Sequence, residues 1–447
     1  MSPKGDISLE QRNFAMKKRA IFFQQGLCVV CAFILASCFS PWKGGEGILT
    51  LYMDGTISSR ISSPPDKTIL EKLHYNIAID GPTVLNLSSD GKAPIQVSVT
   101  PGIYTISVKA FLDSPDGNLY AEGILKNTKV NPGYNSAMIA MQRHFPFWIS
   151  VADRPFGTEG SYCVTWGNGK YIAGGGDVAP IMAWSANGSD WQLVTSPPSF
   201  PDPLERLLFG DGTFVCTGMF GSAGISYSTD GLNWHDATIN PPGLFSGALS
   251  MHLAYGGESG SKTFLALSGS AVRATSPDGV IWDSSSIFYG VPINDVAWGN
   301  GTFVAVGYTG SPTSGYIANS NDGSTWTTVA NPFVSTSIYY VSFGNGIFIA
   351  VGINGDIAQS IDNGVNWTIT APSLFGGDSI NGIAYGDGVF VVVGNSGKMA
   401  YSTDDGLTWL SFADSPFGTS NIGSITYGDG RFVAMGYDGK IAYSVMP

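Results

Sequence analysis

Residues 385–409, YGDGVFVVVGNSGKMAYSTDDGLTW, set the pattern that the second half of the chain repeats. Alternating apolar positions at Ile383 and Tyr385 read as a strand. Gly-Asp-Gly follows, and its Asp-Gly pair tolerates the positive φ of a tight hairpin turn. A β-branched and aromatic run, residues 390–393, predicts the second strand, and residues 398–401 predict a third after a Gly-containing turn. Residues 402–409 turn the chain into a fourth.

The same parse recurs wherever an aromatic precedes Gly: at Trp166, Phe209, Tyr255, Trp298, Phe343, Tyr385 and Tyr427, with steps of 42 to 46 residues. Four short antiparallel strands per period are one propeller blade, a unit that cannot bury its faces alone. Seven copies predict a seven-bladed ring. The seventh copy ends after three strands, and its missing piece stands ahead of the first. Residues 148–158 (WISVADRPFGT) match residues 409–419 (WLSFADSPFGT). Residues 148–152 should therefore be the outer strand of the last blade, leaving no free seam in the ring.

Residues 48–143 lack the repeat. Period-two alternation at Tyr75-Ile77-Ile79, Ile95-Val97-Val99 and Tyr104-Ile106-Val108-Ala110 predicts strands, with Pro101-Gly102 as a hairpin turn between the last two. Further strands are expected over 119–124 and 136–141. About seven short strands suggest a small immunoglobulin-like β-sandwich, without a Cys-Trp-Cys signature. Its role is either a spacer or a second binding module. The fold class is all-β throughout: a sandwich followed by the propeller of residues 144–447.

The start of the chain reads as an export signal. Lys17-Lys18-Arg19 precede an apolar stretch over 20–36 that ends in Leu35-Ala36-Ser37-Cys38. This resembles the lipobox of bacterial lipoproteins, which implies a signal over 1–37, lipid on Cys38, and a short tether over 38–47. An uncleaved membrane anchor is the alternative, the apolar run being nearly long enough to span. Residues 38–447 would carry 17 basic against 32 acidic side chains, a net charge of −15. So acidic a chain repels phosphate backbones, which argues against nucleic acid as a partner. Cys163 and Cys216 are expected to be buried thiols, with a disulfide between them left open.

Two segments, Ser402-Thr-Asp404-Asp405-Gly406-Leu-Thr-Trp409 and Ser360-Ile-Asp362-Asn363-Gly364-Val-Asn-Trp367, carry the pattern S-x-D-x-G-x-x-W. Forms one residue shorter begin at Ser185, Ser228, Ser276 and Ser320. In these segments the chain resembles the Asp-box (BNR-repeat) propellers, a sialidase-like group that includes sialidases, xyloglucan hydrolases and non-enzymatic assembly factors of the photosystem type. The resemblance implies fold more than activity. In the motif itself, Asp is expected to accept from turn amides and Trp to bury its ring.

Chain direction divides the ring into two faces. Gly-Asp-Gly hairpins and Asp-boxes share one; the middle turns and the connections between blades share the other, where lengths vary. Variation over a rigid ring is how a scaffold carries recognition. On that variable face the residues four and three before each marker aromatic differ from copy to copy. Glu205, Arg206, His252, Asn294, Asp295, Tyr340 and Asn381 are the expected ligand contacts at the channel mouth, with water-filled channel lining as the plain alternative. Few arginines are available for a sialidase site: only Arg154 and Arg206 fall on this face, and no Arg-Ile-Pro motif precedes the blades. The four His are scattered and no metal-ligand spacing or phosphate loop is present, so no metal, cofactor or catalytic residue is expected. The sequence thus predicts a monomeric, lipid-anchored binding or assembly protein of the bacterial cell envelope, with outer membrane or cell surface favoured. Its ligand would be a protein or a carbohydrate. The alternative is a glycoside hydrolase using Glu205 and Asp295.

Overall fold

A computed structural model describes residues 47–54, 73–89, 95–112, 118–140, 142–143 and 147–445, apart from 200, 219–223, 242–249, 258–261, 269–271, 287–290, 311–313, 334–335 and 413–414. The expected signal, Cys38 and tether lie outside the described residues. Among these residues the only helix is one turn of 3-10 helix at Asn395–Gly397, and none is long and apolar enough to cross a membrane. The described residues divide into two compact units, the first ending at Gln142 and the second running from Arg143.

In the first unit a three-stranded sheet (Ile95–Val99, Gly47–Asp54, Gly133–Ala140, in that spatial order) packs on a five-stranded one. Gly47–Asp54 runs antiparallel to the first neighbour and parallel to the second. Leu49 and Leu51 from one sheet meet Ile77, Ile79, Ile106 and Val108 from the other in a single buried core. The alternation at 75–79 and 104–110 thus does place one face inward. Pro101-Gly102, however, makes no hairpin. Ile95–Val99 pairs with Gly47–Asp54, whereas Gly102–Leu112 pairs with Leu73–Asp80 and Asn118–Val130 in the other sheet. The turn is a crossover between layers, pinned by Tyr104, whose hydroxyl donates to the Thr100 carbonyl at 2.6 Å. A buried phenol needs such a partner, and an upstream carbonyl at a strand corner supplies it.

Among the described residues the second unit holds seven sheets. Six contain a four-strand meander; the seventh, Ile422–Gly428, Arg431–Gly436 and Ile441–Val445, takes its fourth strand from Phe147–Ser150. The closing register pairs Ser150 with Ala442 and Trp148 with Ser444, and the Val151 amide donates to the Ile441 carbonyl at 2.8 Å. Each innermost strand touches the next, and Ile422–Gly428 touches Ser161–Gly167, so the series closes on itself. Second strands such as Thr213–Gly218, Ile347–Gly352 and Val389–Gly394 are buried at every position. They lie between neighbouring blades, so both faces are apolar and the period-two signal vanishes.

The aromatic-Gly markers explain themselves in space. Each marker glycine receives the next blade's marker ring: a Cβ on Gly299 would stand 2.1 Å from Phe343, one on Gly386 2.0 Å from Tyr427, and one on Gly428 2.1 Å from Trp166. Seven such seats form one circuit, the last returning to the first. The Tyr171 hydroxyl adds a bond to the Gly428 carbonyl across the same junction. Six hairpins place Asn or Asp at φ 44–48° before Gly at φ 70–82°, as the Asn-Gly and Asp-Gly pairs predict. One blade departs from four strands: Thr238–Asn240, after the second blade, adds in parallel to Ile281–Ser286 as a fifth strand of the third.

All six Ser-x-Asp/Asn turns share one bonding pattern. The Ser hydroxyl accepts from the Gly amide at 2.8–3.0 Å, and the Trp indole N–H donates to the same Gly's carbonyl at 2.9–3.2 Å. The acid accepts from amides further along, as Asp322 does from Ser324 and Thr325 at 2.8 Å. Those amides outweigh burial and hold Asp322 below its ordinary 3.8; burial pushes Asp230 and Asp278 the other way, but their amide bonds prevail there too. A depressed carboxyl contributes stability that is complete above its unfolded value and is lost as pH falls through the folded one. Thermal melts should therefore fall progressively once pH drops below about 4. The triple variant Asp230→Asn/Asp278→Asn/Asp322→Asn should show a visibly shallower fall; an unchanged slope would remove these turns as the cause.

Candidate functional site

Hairpins and Ser-x-Asp turns do share one face: Asn168 donates to the Gly212 and Thr229 carbonyls of the next blade, and Asn345 to Asp405. That face is bound up in contacts between copies. The opposite face bears the starts of the innermost strands, and with them all seven expected contact residues.

Six of these strands begin with a bulge. The pairing register slips at Tyr162, Glu205, Asn294, Tyr339, Asn381 and Gly423, while the third blade runs in step from Met251. An extra residue in one strand re-aims the side chains around it. Here the re-aimed side chains reach the neighbouring blade. A Glu205 carboxylate oxygen accepts from the Met251 amide at 3.4 Å, and Asp295 accepts from the Val341 amide at 3.0 Å. Asn294 donates to the Ile338 carbonyl at 2.8 Å, and Asn381 to the Ile422 carbonyl at 3.0 Å. Four of the seven residues therefore clasp blades together. Glu205, His252 and Asn381 are buried, at 9%, 3% and 8% exposure.

Arg206 is placed differently. It leaves the second blade and brings its guanidinium to 5.3 Å from the ring centre of Tyr340 on the fifth. In a ring of seven these blades stand nearly opposite, so the side chain reaches across the channel. One terminal nitrogen donates to the Glu205 carbonyl at 3.1 Å, and the buried Nε has no partner. Neither Glu205 nor Asp295 forms an ion pair with it within contact distance among the described residues. Tyr340 and the two carboxylates nevertheless surround it closely enough to hold its pKa above the ordinary value despite burial.

The field acts back on its neighbours. Burial pushes Glu205 up, only partly offset by Arg206 and the Met251 amide, and pushes Asp295 up to about 6 against the same arginine and the Val341 amide. Burial, reinforced by Arg206, drives His252 well below its ordinary 6.5, leaving the imidazole neutral. Its Nε2 meets Ser250 Oγ at 3.2 Å, and its Nδ1 is unpartnered. Around the rim Tyr162 and Tyr437 stack edge to face at 5.4 Å, with Tyr339 and Tyr340 at 6.5 Å.

Tyr162, Tyr339 and Tyr437 lie here outside the expected contacts. The first two stand four residues before a marker aromatic, and Tyr437 lies in a middle turn, where copy-to-copy variation is the available signal. Cys163 and Cys216 are buried free thiols. Arg431 donates to the Asn187 carbonyl at 2.7 Å, away from this face. Among the described residues no His, Cys, Asp or Glu cluster suits a metal. In the first unit an open depression of about 390 Å³ is lined by Asn76, Asn86, Ser88, Ser107 and Lys109 and has no aromatic wall.

Comparison with known proteins supports the fold. The sequence profile of a family described as DUF6242 beta propeller domain matches residues 276–431. No curated protein matches the chain. Among solved structures, YCF48 bound to D1 peptide is 17% identical, with a TM-score of 0.54 over 68% of this chain and 98% of its own. YCF48 from Cyanidioschyzon merolae is 16% identical, with a TM-score of 0.51 over 66% and 98%. Virginiamycin B lyase from Staphylococcus aureus is 12% identical, with a TM-score of 0.54 over 68% and 99%. At such identities the shared property is the propeller.

Proposed function

We propose that this chain is a binding or scaffold protein that engages a protein or glycan of the bacterial envelope on the variable face of its propeller, held to a membrane by lipid on Cys38. The observation that carries this reading is the contrast between the two faces. One is consumed by repeated turns that bond to each other. The other gathers side chains that vary from copy to copy, and four of the expected contacts there, Arg206, Asn294, Asp295 and Tyr340, are half-buried rather than buried. The Ser-x-Asp turns, which bond as an Asp-box is expected to, support placing the ring among the Asp-box propellers. A similar fold has been solved with a peptide bound, which fits a protein ligand.

Hydrolysis is the second reading, and the raised carboxyl groups of Glu205 and Asp295 favour it, since a general acid must hold its proton near neutrality. Weighing against it, each carboxylate already accepts from a backbone amide of the neighbouring blade, and Glu205 is buried. One experiment separates the two. Protein comprising residues 38–447 is used to capture partners from native envelope and is assayed on a panel of chromogenic glycosides. We expect capture that Arg206→Ala/Tyr340→Ala abolishes and Glu205→Gln retains, with no turnover; turnover lost in Glu205→Gln would replace binding with catalysis.

A further inference from the structure

Arg206 does more than line the mouth. By reaching from the second blade to Tyr340 on the fifth, it lays a cationic floor across the channel. A passage crossed in this way favours the end or a side group of a chain over a threaded segment. The floor has donor capacity left over: Arg206 is half-buried, and among the described residues its guanidinium makes one hydrogen bond, from a terminal nitrogen to the Glu205 carbonyl. Its two nearest acids are held elsewhere: Glu205 accepts from Met251 and Asp295 from Val341, in both cases a backbone amide that fixes the carboxylate on the neighbouring blade. A guanidinium offers donors in a flat fork, and the group that matches it is a planar anion with two oxygens. The Tyr340 ring takes one face of the fork, leaving its edge for the ligand. Tyr162 and Tyr437 pack edge to face at the rim, with the Tyr162 hydroxyl donating to Asp177 at 2.7 Å.

We infer that the channel mouth is a cup that binds a carboxylate group of its ligand on Arg206, with Tyr340 as the platform that orients the guanidinium. This rests on the binding role proposed above and names its chemistry. Both a peptide end and an acidic sugar carry that group.

Ligand-observed NMR on residues 38–447 at neutral pH tests the cup with two matched pairs: N-acetylalanine against N-acetylalaninamide, and glucuronic acid against glucose. At least one acid should bind at least tenfold more tightly than its neutral partner, and the stronger acid identifies peptide end or sugar as the source. Arg206→Gln should lose that preference, and Tyr340→Phe, which keeps the ring, should retain it. Equal binding of acid and neutral forms, no binding of either acid, or a preference that survives Arg206→Gln would overturn the inference. Should Arg206→Gln fail to fold, the acid-against-neutral contrast on the unaltered protein decides alone. If envelope capture survives Arg206→Gln but not Tyr340→Ala, the binding role stands and the carboxylate seat falls.

Discussion

Gly299→Ala should destabilise the propeller by about 3 kcal/mol, the upper end of ordinary overpacking, and lower its melting temperature by roughly 6–12 °C. The cause is contact, not backbone conformation. The added methyl would stand 2.1 Å from the Phe343 ring, with two further ring carbons at 2.2 and 2.4 Å. Phe343 cannot retreat, because the ring of Phe348 lies 4.8 Å away in the same blade. Gly428→Ala should cost as much, since its methyl would meet Trp166 at 2.1 Å. That equality is informative. In a ring the junction between the last and first blades is like any other; in an open array Gly428 would face solvent and its substitution would be silent. Differential scanning calorimetry on both variants distinguishes the cases.

Trp148→Ala should have the second large effect, on the order of 3–5 kcal/mol for a buried Trp. Trp148 is 7% exposed and joins the core of the seventh blade, edge on to Phe412 at 6.3 Å. It differs from its counterparts in one respect. The other six tryptophans donate to a Gly carbonyl within their turn, but the seventh blade has no such turn, and Trp148 Nε1 is buried without a partner. Trp148→Phe should therefore cost little, whereas Trp409→Phe discards the bond to Gly406 as well as ring area. Equilibrium denaturation of the three variants orders them; a Trp148→Phe as damaging as Trp148→Ala would contradict this account of the site.

Much of this fold could be read because the chain states it seven times. Asn-Gly and Asp-Gly pairs demand positive φ, and a Trp following Gly at constant spacing demands a seat, so turns and blades emerge from local chemistry. The closing strand was legible because residues 148–158 repeat 409–419 across the length of the ring. Their structures repeat too: Gly157 and Gly418 each donate at 3.1 Å to the carbonyl three residues back. Pro101-Gly102 misled because a turn pair between two alternating runs looks the same whether the strands join one sheet or two. Only Tyr104 and its long-range partners decide that. Likewise the bulges at the inner strands are invisible to periodicity, since an extra residue there resembles ordinary variation among copies.

The candidate site was legible in position and obscure in use. Copy-to-copy variation located the mouth, yet it could not tell Asp295, which is bound to the next blade, from Arg206, which reaches across the channel. Those outcomes depend on neighbours 46 and 134 residues away in sequence. No local pattern encodes them.

Everything placed at the mouth depends on the strand at Phe147–Ser150 completing the seventh blade, because that pairing fixes which ends of the inner strands converge. A cysteine pair tests it directly: Ser150→Cys with Ala442→Cys, at positions that face each other in the closing register. Oxidation followed by peptide mapping under non-reducing conditions should recover one peptide that joins residues 150 and 442, in a monomer with the melting behaviour of the unaltered protein. Free thiols at both positions, or a link from residue 150 to another molecule, would contradict the closed ring.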